Sequence, residues 1–321
     1  MYQSVAINLG AYCNATCAHC CFSCSPETKD TIGNEKLIKL VETIVSDEQI
    51  RSIGFTGGEV FMQRKLLQTL LEIVHKNGKS STIISNGFWG SSVSRIEKNF
   101  QLMKKYNVTG LTISHDEFHA PFVPTTSVKN ILTHSKNYPE IKIYLNMATK
   151  KNDEKNNEII KQLGDSVLGI AVTKFPLLKV GSSENIDDKH FMNLVSLEND
   201  AHLQCPGFEI SYHFDGNVYP CCSPVVFDTA LKLTDGELGK NDVQSFGRSI
   251  EKLNSNILFY VMRKEGFKWF VDIIKRNKEF DYINLDMNIP SVCGLCHLIF
   301  KEQKTIELLT PYLRAYYEQM V

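Results

Sequence analysis

No stretch of the 321 residues approaches the roughly 20 consecutive apolar residues that a helix needs to cross a bilayer. The start, Met1-Tyr2-Gln3-Ser4, has neither the basic opening nor the apolar run of a signal peptide. A surplus of charge is missing as well. With 35 Lys and Arg against 36 Asp and Glu, the net charge is −1, and no bulk basic field draws the chain to nucleic acid or to an anionic membrane. Internal repeats and low-complexity linkers are absent, so the two parts of the chain are expected to pack closely. These absences lead to an expected cytoplasmic protein without nucleic-acid or membrane partners. Its hydrophobic content of 43% and charged content of 22% are ordinary. At this length a core of normal size forms without disulfide staples.

Against that background the 10 cysteines stand out. Five of them, Cys13, Cys17, Cys20, Cys21 and Cys24, crowd into "CNATCAHCCFSC". The others are Cys205, the adjacent Cys221 and Cys222, and Cys293 with Cys296. In a reducing compartment, clustered cysteines bind metal or carry redox chemistry more often than they form disulfides.

Hydrophobic periodicity predicts alternating strands and helices over the first half. Strands are expected at Val5 to Leu9, Arg51 to Thr56, Thr82 to Ser85, Gly110 to Ser114, Ile141 to Met147 and near Leu168 to Thr173. Helices are expected at Asn34 to Val45, Leu66 to Val74, Ser94 to Tyr106, Val128 to Ser135 and near Glu154 to Leu163. Such alternation implies an α/β fold of parallel strands with helical crossovers. Six units are too few to close an eight-stranded barrel, so an open, partial (β/α)6 barrel is expected. After Gly181 the pattern changes. Ile210 to Phe214 and Asn217 to Tyr219 flank Asp215-Gly216, which predicts a tight hairpin and explains Asp215 without catalysis. A long helical region follows, around Ile250 to Ile274, with a break expected at Gly266.

Cys13, Cys17 and Cys20 have the spacing C-x3-C-x2-C on a loop after the first strand. Three thiolates so placed can hold three irons of a [4Fe–4S] cluster and leave the fourth open to a small molecule, whereas electron-transfer clusters use four cysteines. Cys21 and Cys24 offer a rival C-x2-C spacing that suits zinc. After the second strand, Gly57-Gly58-Glu59 supplies glycines for close backbone approach and a carboxylate for an ammonium group.

With these residues the chain resembles the radical SAM superfamily. The resemblance implies that the open iron chelates S-adenosylmethionine, whose reductive cleavage yields a 5′-deoxyadenosyl radical. It also implies that Glu59 helps to hold the methionine ammonium and that His19, at a position often aromatic in the superfamily, contacts adenine. Ser85, Asn86, Ser114 and Asp116 are candidates for ribose or carboxylate contacts, with strand-end capping as the alternative.

Cys205, one of Cys221 and Cys222, Cys293 and Cys296 suit either a four-cysteine zinc site or a second [4Fe–4S] cluster. Placement behind a radical SAM domain resembles the twitch domains related to SPASM and favours the cluster. Residues 1–180 would then be the barrel and residues 181–321 a smaller α+β auxiliary-cluster domain. In extended backbone neighbouring side chains point to opposite faces, so only one of Cys221 and Cys222 should ligate. The other is either a hydrogen donor or a spare buried thiol.

A closer resemblance covers nearly the whole chain. "INLGAYCNATCAHCCFSC", "FTGGEVF", "ISNGFWG", "HDEFHAPFV", "CPGFEISYHFDGNVYPCCSP" and "EKLNSN…RKEGFKWF" are similar to radical SAM peptidyl epimerases of the YydG type. That family converts L- to D-valine and isoleucine residues in a ribosomally made precursor peptide. Carried over, the resemblance implies Cys222 as hydrogen donor and Cys205, Cys221, Cys293 and Cys296 on the second cluster. It also implies a one-electron reductant of flavodoxin or ferredoxin type. The family's aspartate four residues after the first auxiliary cysteine is Glu209 here, longer by one methylene. The nearest rival activity is thioether or carbon–carbon crosslinking of a peptide, and the rival of another class is a non-catalytic iron–sulfur or zinc protein.

Overall fold

The structure is a computed structural model that describes residues 4–198, 203–234 and 244–320. Strands and helices alternate from β1 (Ser4–Asn8) to β6 (Ala171–Pro176). Between them come α1 (Asn34–Val45), β2 (Ser52–Thr56), α2 (Arg64–Lys76), β3 (Ser80–Ser85) and α3 (Val93–Lys105). Then follow β4 (Val108–Ser114), α4 (Thr125–Ser135), β5 (Lys142–Thr149) and α5 (Glu154–Leu163). Each helix carries one apolar stripe, such as Leu66, Leu67, Leu70, Leu71 and Val74 on α2, and all five of these are buried. The stripes cover one sheet face, where Val5, Ile7, Ile53, Phe55, Ile83, Leu111 and Ile113 have no solvent exposure.

The six strands pair in parallel and in sequence order, with Ile7 opposite Phe55 and Leu111 opposite Ile143. The expected open α/β barrel is therefore observed. The sheet also runs past β1. A short hairpin of β7 (Ser211–Tyr212) and β8 (Val218–Tyr219) joins it, with β7 parallel to β1 and β8 antiparallel to β7. The edge of β1 is thus covered by backbone from the second half of the chain, while β6 ends the sheet on the other side. Asp215 makes the hairpin turn: its carboxylate accepts from the Asn217 N–H at 2.8 Å and from the Tyr219 hydroxyl at 2.7 Å.

Two local expectations need correction. The sixth strand starts at Ala171, three residues later than expected, because α5 is followed by a 3-10 turn and Gly169 takes φ 82. Leu168, read as part of that strand, is 67% exposed. The region from Ile250 to Ile274 forms three helices, α6 (Phe246–Ser255), α7 (Ile257–Lys264) and α8 (Phe267–Arg276). Gly266 supplies the expected break, and Asn256 supplies another by accepting from the Leu258 N–H at 2.9 Å as an N-cap. Two further helices, α9 (Val292–Phe300) and α10 (Gln303–Glu318), complete the fold. Among the described residues no helix is long and apolar enough to cross a membrane.

Asn156 on α5 shows how a helix fixes a strand end. It has no solvent exposure, accepts from the Glu117 N–H at 2.8 Å and donates to the Ala148 carbonyl at 2.8 Å. It thereby ties the loop after β4 to the end of β5. Asn156→Leu leaves both backbone groups buried without a partner, and should cost about 2–4 kcal/mol in denaturant unfolding.

Candidate functional site

The ends of the parallel strands surround a cavity of about 370 Å³. That lies in the ~300–1,000 Å³ range usual for small-molecule sites. Cys13, Cys17, Cys20, Cys21, Cys24, His19, Gly57, Gly58, Ser85, Asn86, Ser114 and Asp116 all line it. So do Glu209 and Cys222 from the second half of the chain.

The cysteine loop leaves β1 and is held by backbone. The Cys13 N–H donates to the Ser25 carbonyl at 3.1 Å, and the Ser25 N–H returns to Ala11 at 3.3 Å. Below it, the Gly58 N–H donates to the Gly10 carbonyl at 2.7 Å and the Glu59 N–H to Tyr12 at 2.9 Å. A Cβ on Gly58 would sit 2.1 Å from the Tyr12 oxygen, so only glycine permits this stacking. On the far side the Ser182 N–H donates to the Cys20 carbonyl at 2.9 Å.

Burial pushes the Cys13 thiol up to about 11 and raises Cys17 further. Cys20 moves the other way, mainly because the Cys24 thiol donates to its sulfur; the Cys24 N–H does so as well, at 3.3 Å. Cys24 is buried beside Cys13 and Cys17. Three thiols presented on one wall suit a [4Fe–4S] cluster with an open iron. Buried polar atoms without a partner among the described residues, Asn8 Nδ2 and His19 Nδ1, belong to side chains on the same wall. These fit a polar ligand seated beside the cluster.

Glu59, expected to help hold the methionine ammonium, stands behind the wall. It is 1% exposed and does not line the cavity. Its oxygens accept from the Asn86 N–H at 2.7 Å, the Phe61 N–H at 3.0 Å and the Ser85 hydroxyl at 2.9 Å. Burial, only partly offset by these bonds, raises Glu59 to about 7. Ser85 and the Asn86 backbone thus act on Glu59, while the Asn86 side chain donates to Asn14 Oδ1 at 2.8 Å. What the Gly57-Gly58-Glu59 turn presents to the cavity is the two glycines.

Asp116 is also occupied. It accepts from the N–H groups of Phe118, His119 and Ala148 at 2.9, 3.1 and 2.9 Å, and meets His119 Nδ1 at 2.8 Å. One ligand atom each from His19, Asp116 and His119 lie within 4.8 Å of one another. With its oxygens so engaged, Asp116 serves to clamp the two rings. His19 stacks on Phe118 with ring centroids 4.7 Å apart, and burial brings its imidazole down to about 4, so it is neutral near pH 7. Ser114 lines the cavity at the end of β4.

The adjacent pair divides. Cys222 is exposed and lies on the cavity wall, and Cys221 does not line the cavity. Burial and then the charge of the neighbouring Glu209, to which the thiol hydrogen-bonds, raise the Cys222 thiol well above its usual range. Ser4 Oγ donates to Glu209 Oε1 at 2.5 Å, anchoring that carboxylate from β1. Cys221 instead falls in with the distal cysteines. Burial and then the thiols of Cys205 and Cys293 push it up, to about 12, and burial with Cys221, Cys205 and Cys293 raises Cys296. Cys293 and Cys296 are three apart on α9, hence on one helix face.

Sequence reasoning missed Asn8, Asn14 and His119 in this site. Only His119 had a visible signal, its i,i+3 spacing from Asp116. An aromatic group also escaped it: Phe22 of the cysteine loop packs on His213, Phe214 and Phe227, with centroids 5.3, 5.9 and 5.4 Å away.

An open parallel barrel with three cysteines after its first strand defines a radical SAM protein, and the superfamily profile matches residues 7–162. The putative peptide biosynthesis protein YydG of Bacillus subtilis (strain 168) is 45% identical over 318 residues, spanning 99% of this chain and 98% of YydG. The chain belongs to the radical SAM superfamily and, within it, to the family of YydG. The antilisterial bacteriocin subtilosin biosynthesis protein AlbA of the same organism is 29% identical over 115 residues, 34% of this chain and 24% of AlbA. Two solved structures share the fold. Streptococcus suis SuiB bound to precursor peptide SuiA gives a TM-score of 0.50 at 12% identity, over 84% of this chain and 66% of that one. Native anSMEcpe with bound AdoMet and Cp18Cys peptide gives 0.51 at 15% identity, over 99% and 100%. Membership of the superfamily implies S-adenosylmethionine and a [4Fe–4S] cluster as the working groups, and makes the chain a radical SAM enzyme.

The stacking and the buried carboxylate each lead to a test. In Gly58→Ala the methyl group meets backbone, so the loop must lift; about 2 kcal/mol of stability should be lost, with lower iron uptake on reconstitution. Glu59 holds a proton in the folded chain from its ordinary value of 4.5 up to about 7. Its contribution to stability therefore falls as pH rises through that window, and Glu59→Gln should flatten the slope measured by denaturant unfolding.

Proposed function

We propose that this enzyme converts L- to D-residues of valine or isoleucine type in a ribosomally made precursor peptide. The observation that carries the reading is the division of the adjacent pair, with Cys222 beside Glu209 in the cavity of Cys13, Cys17 and Cys20. Cys13, Cys17 and Cys20 would hold a [4Fe–4S] cluster that, with S-adenosylmethionine, would supply the radical chemistry for removing a hydrogen atom from a carbon.

The chain's own residues set the rest. Gly57 and Gly58 offer backbone at the cavity wall for the methionine ammonium, and Glu59 behind them helps to hold it indirectly, by fixing Ser85 and the Asn86 N–H at the neighbouring strand end. His19 presents a neutral ring to adenine. Cys222 returns a hydrogen atom to the opposite face of the peptide α-carbon, breaking S–H and forming C–H. One electron and one proton then restore the thiol, the electron coming from a reductant of flavodoxin or ferredoxin type. Burial and the Glu209 charge keep the sulfur protonated, and only the protonated thiol can donate. Cys205, Cys221, Cys293 and Cys296 would hold a second [4Fe–4S] cluster behind the pair. Residues 181–321 would form the domain that carries it.

The test uses anaerobically reconstituted enzyme with a synthetic peptide, its sequence taken from a short open reading frame to be sought beside the gene. In deuterated water each inverted α-carbon should gain one deuterium, because thiol hydrogens exchange with solvent. Cys222→Ala should lower D-residue yield by about 100-fold or more on chiral amino-acid analysis, with 5′-deoxyadenosine formed out of proportion to product. Cys221→Ala should instead lose iron. Normal D-residue formation by Cys222→Ala eliminates the assignment, and a product two hydrogens lighter points to crosslinking.

A further inference from the structure

β6 ends the sheet opposite the hairpin, and among the described residues no further strand or backbone hydrogen bond meets Val172 or Lys174 on its outer side. Its first four residues, Ala171 to Lys174, are all exposed. Exposed strand edges are templates for pairing, and proteins usually shield them.

The polarity of this edge can be worked out residue by residue. The Leu177 N–H donates to the Thr149 carbonyl of β5 at 2.8 Å. Because successive backbone groups alternate in direction along a strand, the odd-numbered residues face β5 and the even-numbered ones face outward. Val172 and Lys174 therefore direct N–H and C=O groups away from the sheet. Position 176 falls in the same outward series and is proline, which has no N–H to leave unpaired. The side chains agree with this register. Asn146 and Ala148, opposite Thr173 and Phe175, line the cavity together with Phe175. Lys174 points the other way, its Nζ reaching Asp153 and Asn157 by α5 at 2.8 and 3.0 Å.

We propose that the precursor peptide docks by adding a strand to β6, pairing with the outward backbone groups of Val172 and Lys174. The occupant follows from two features. A row of alternating N–H and C=O groups is complemented by another extended backbone. The strand also runs directly into the reaction cavity, since Phe175, Leu177 and Leu178 form part of its wall. Val172 and Tyr144, 39% and 38% exposed, give apolar surface on the two faces for side chains of the added strand. This proposal rests on the reading of the substrate as a peptide.

Amide hydrogen exchange at single-residue resolution tests it on the full-length, reconstituted enzyme with and without the synthetic peptide described above. Exchange at Val172 and Lys174 should slow on peptide addition, whereas Ala171, Thr173 and Phe175 are already protected by β5. Val172→Pro removes one outward donor and should raise KM for the peptide roughly threefold to tenfold, with a smaller change in kcat. Thr173→Pro removes a donor to β5 and should instead lower the melting temperature. D-residue formation without new protection at Val172 and Lys174, or an unchanged KM in Val172→Pro, overturns edge docking and leaves epimerisation standing. New protection without D-residues supports docking and overturns the epimerase reading instead.

Discussion

Everything at the reaction centre depends on backbone lying on backbone where Gly58 passes under Tyr12. The Gly58 and Glu59 N–H groups bond to Gly10 and Tyr12, and the missing side chain lets the cysteine loop settle onto the loop after β2. That contact fixes the height of Cys13, Cys17 and Cys20 above the sheet. It also fixes Glu59, whose carboxylate then organises Ser85 and Asn86 after β3. Three strand ends are thereby registered to one another through short hydrogen bonds.

The second half of the chain reaches the same centre through the sheet itself. β7 pairs with β1, and Ser4 on β1 holds Glu209, so the carboxylate beside Cys222 is positioned by the strand that launches the cysteine loop. Phe22 and Phe227 close the seam from the other side. The hairpin and the cavity thus share β1, whose Ala6 pairs with Ser211 and lines the cavity with Asn8.

Much of this was legible in the residues. The alternating apolar runs and the C-x3-C-x2-C spacing located the barrel and its loop, since both depend on local periodicity and spacing. The division of Cys221 and Cys222 was foreshadowed by strand alternation, even though the pair lies just beyond β8. Less visible were features made by distant segments. Glu59 looked like a ligand in sequence, and only the positions of Ser85, Asn86 and Phe61 show its oxygens engaged. Asn8 and Asn14 carry no signature, because their value lies in what the fold brings near them. The displaced start of β6 reflects Gly169, which a reading by apolar content alone passed over.

The cysteine loop is tied down by main-chain contacts with Ser25, Gly58 and Ser182, and the Cys24 N–H donates to the Cys20 sulfur. Main-chain bonds do not depend on which side chains the loop carries, apart from the glycine that the close approach at Gly58 requires. Between the three cysteines, Thr16 and Ala18 are exposed. The course of the loop is therefore set by its backbone, and these two spacer positions can vary in side chain without displacing the sulfurs.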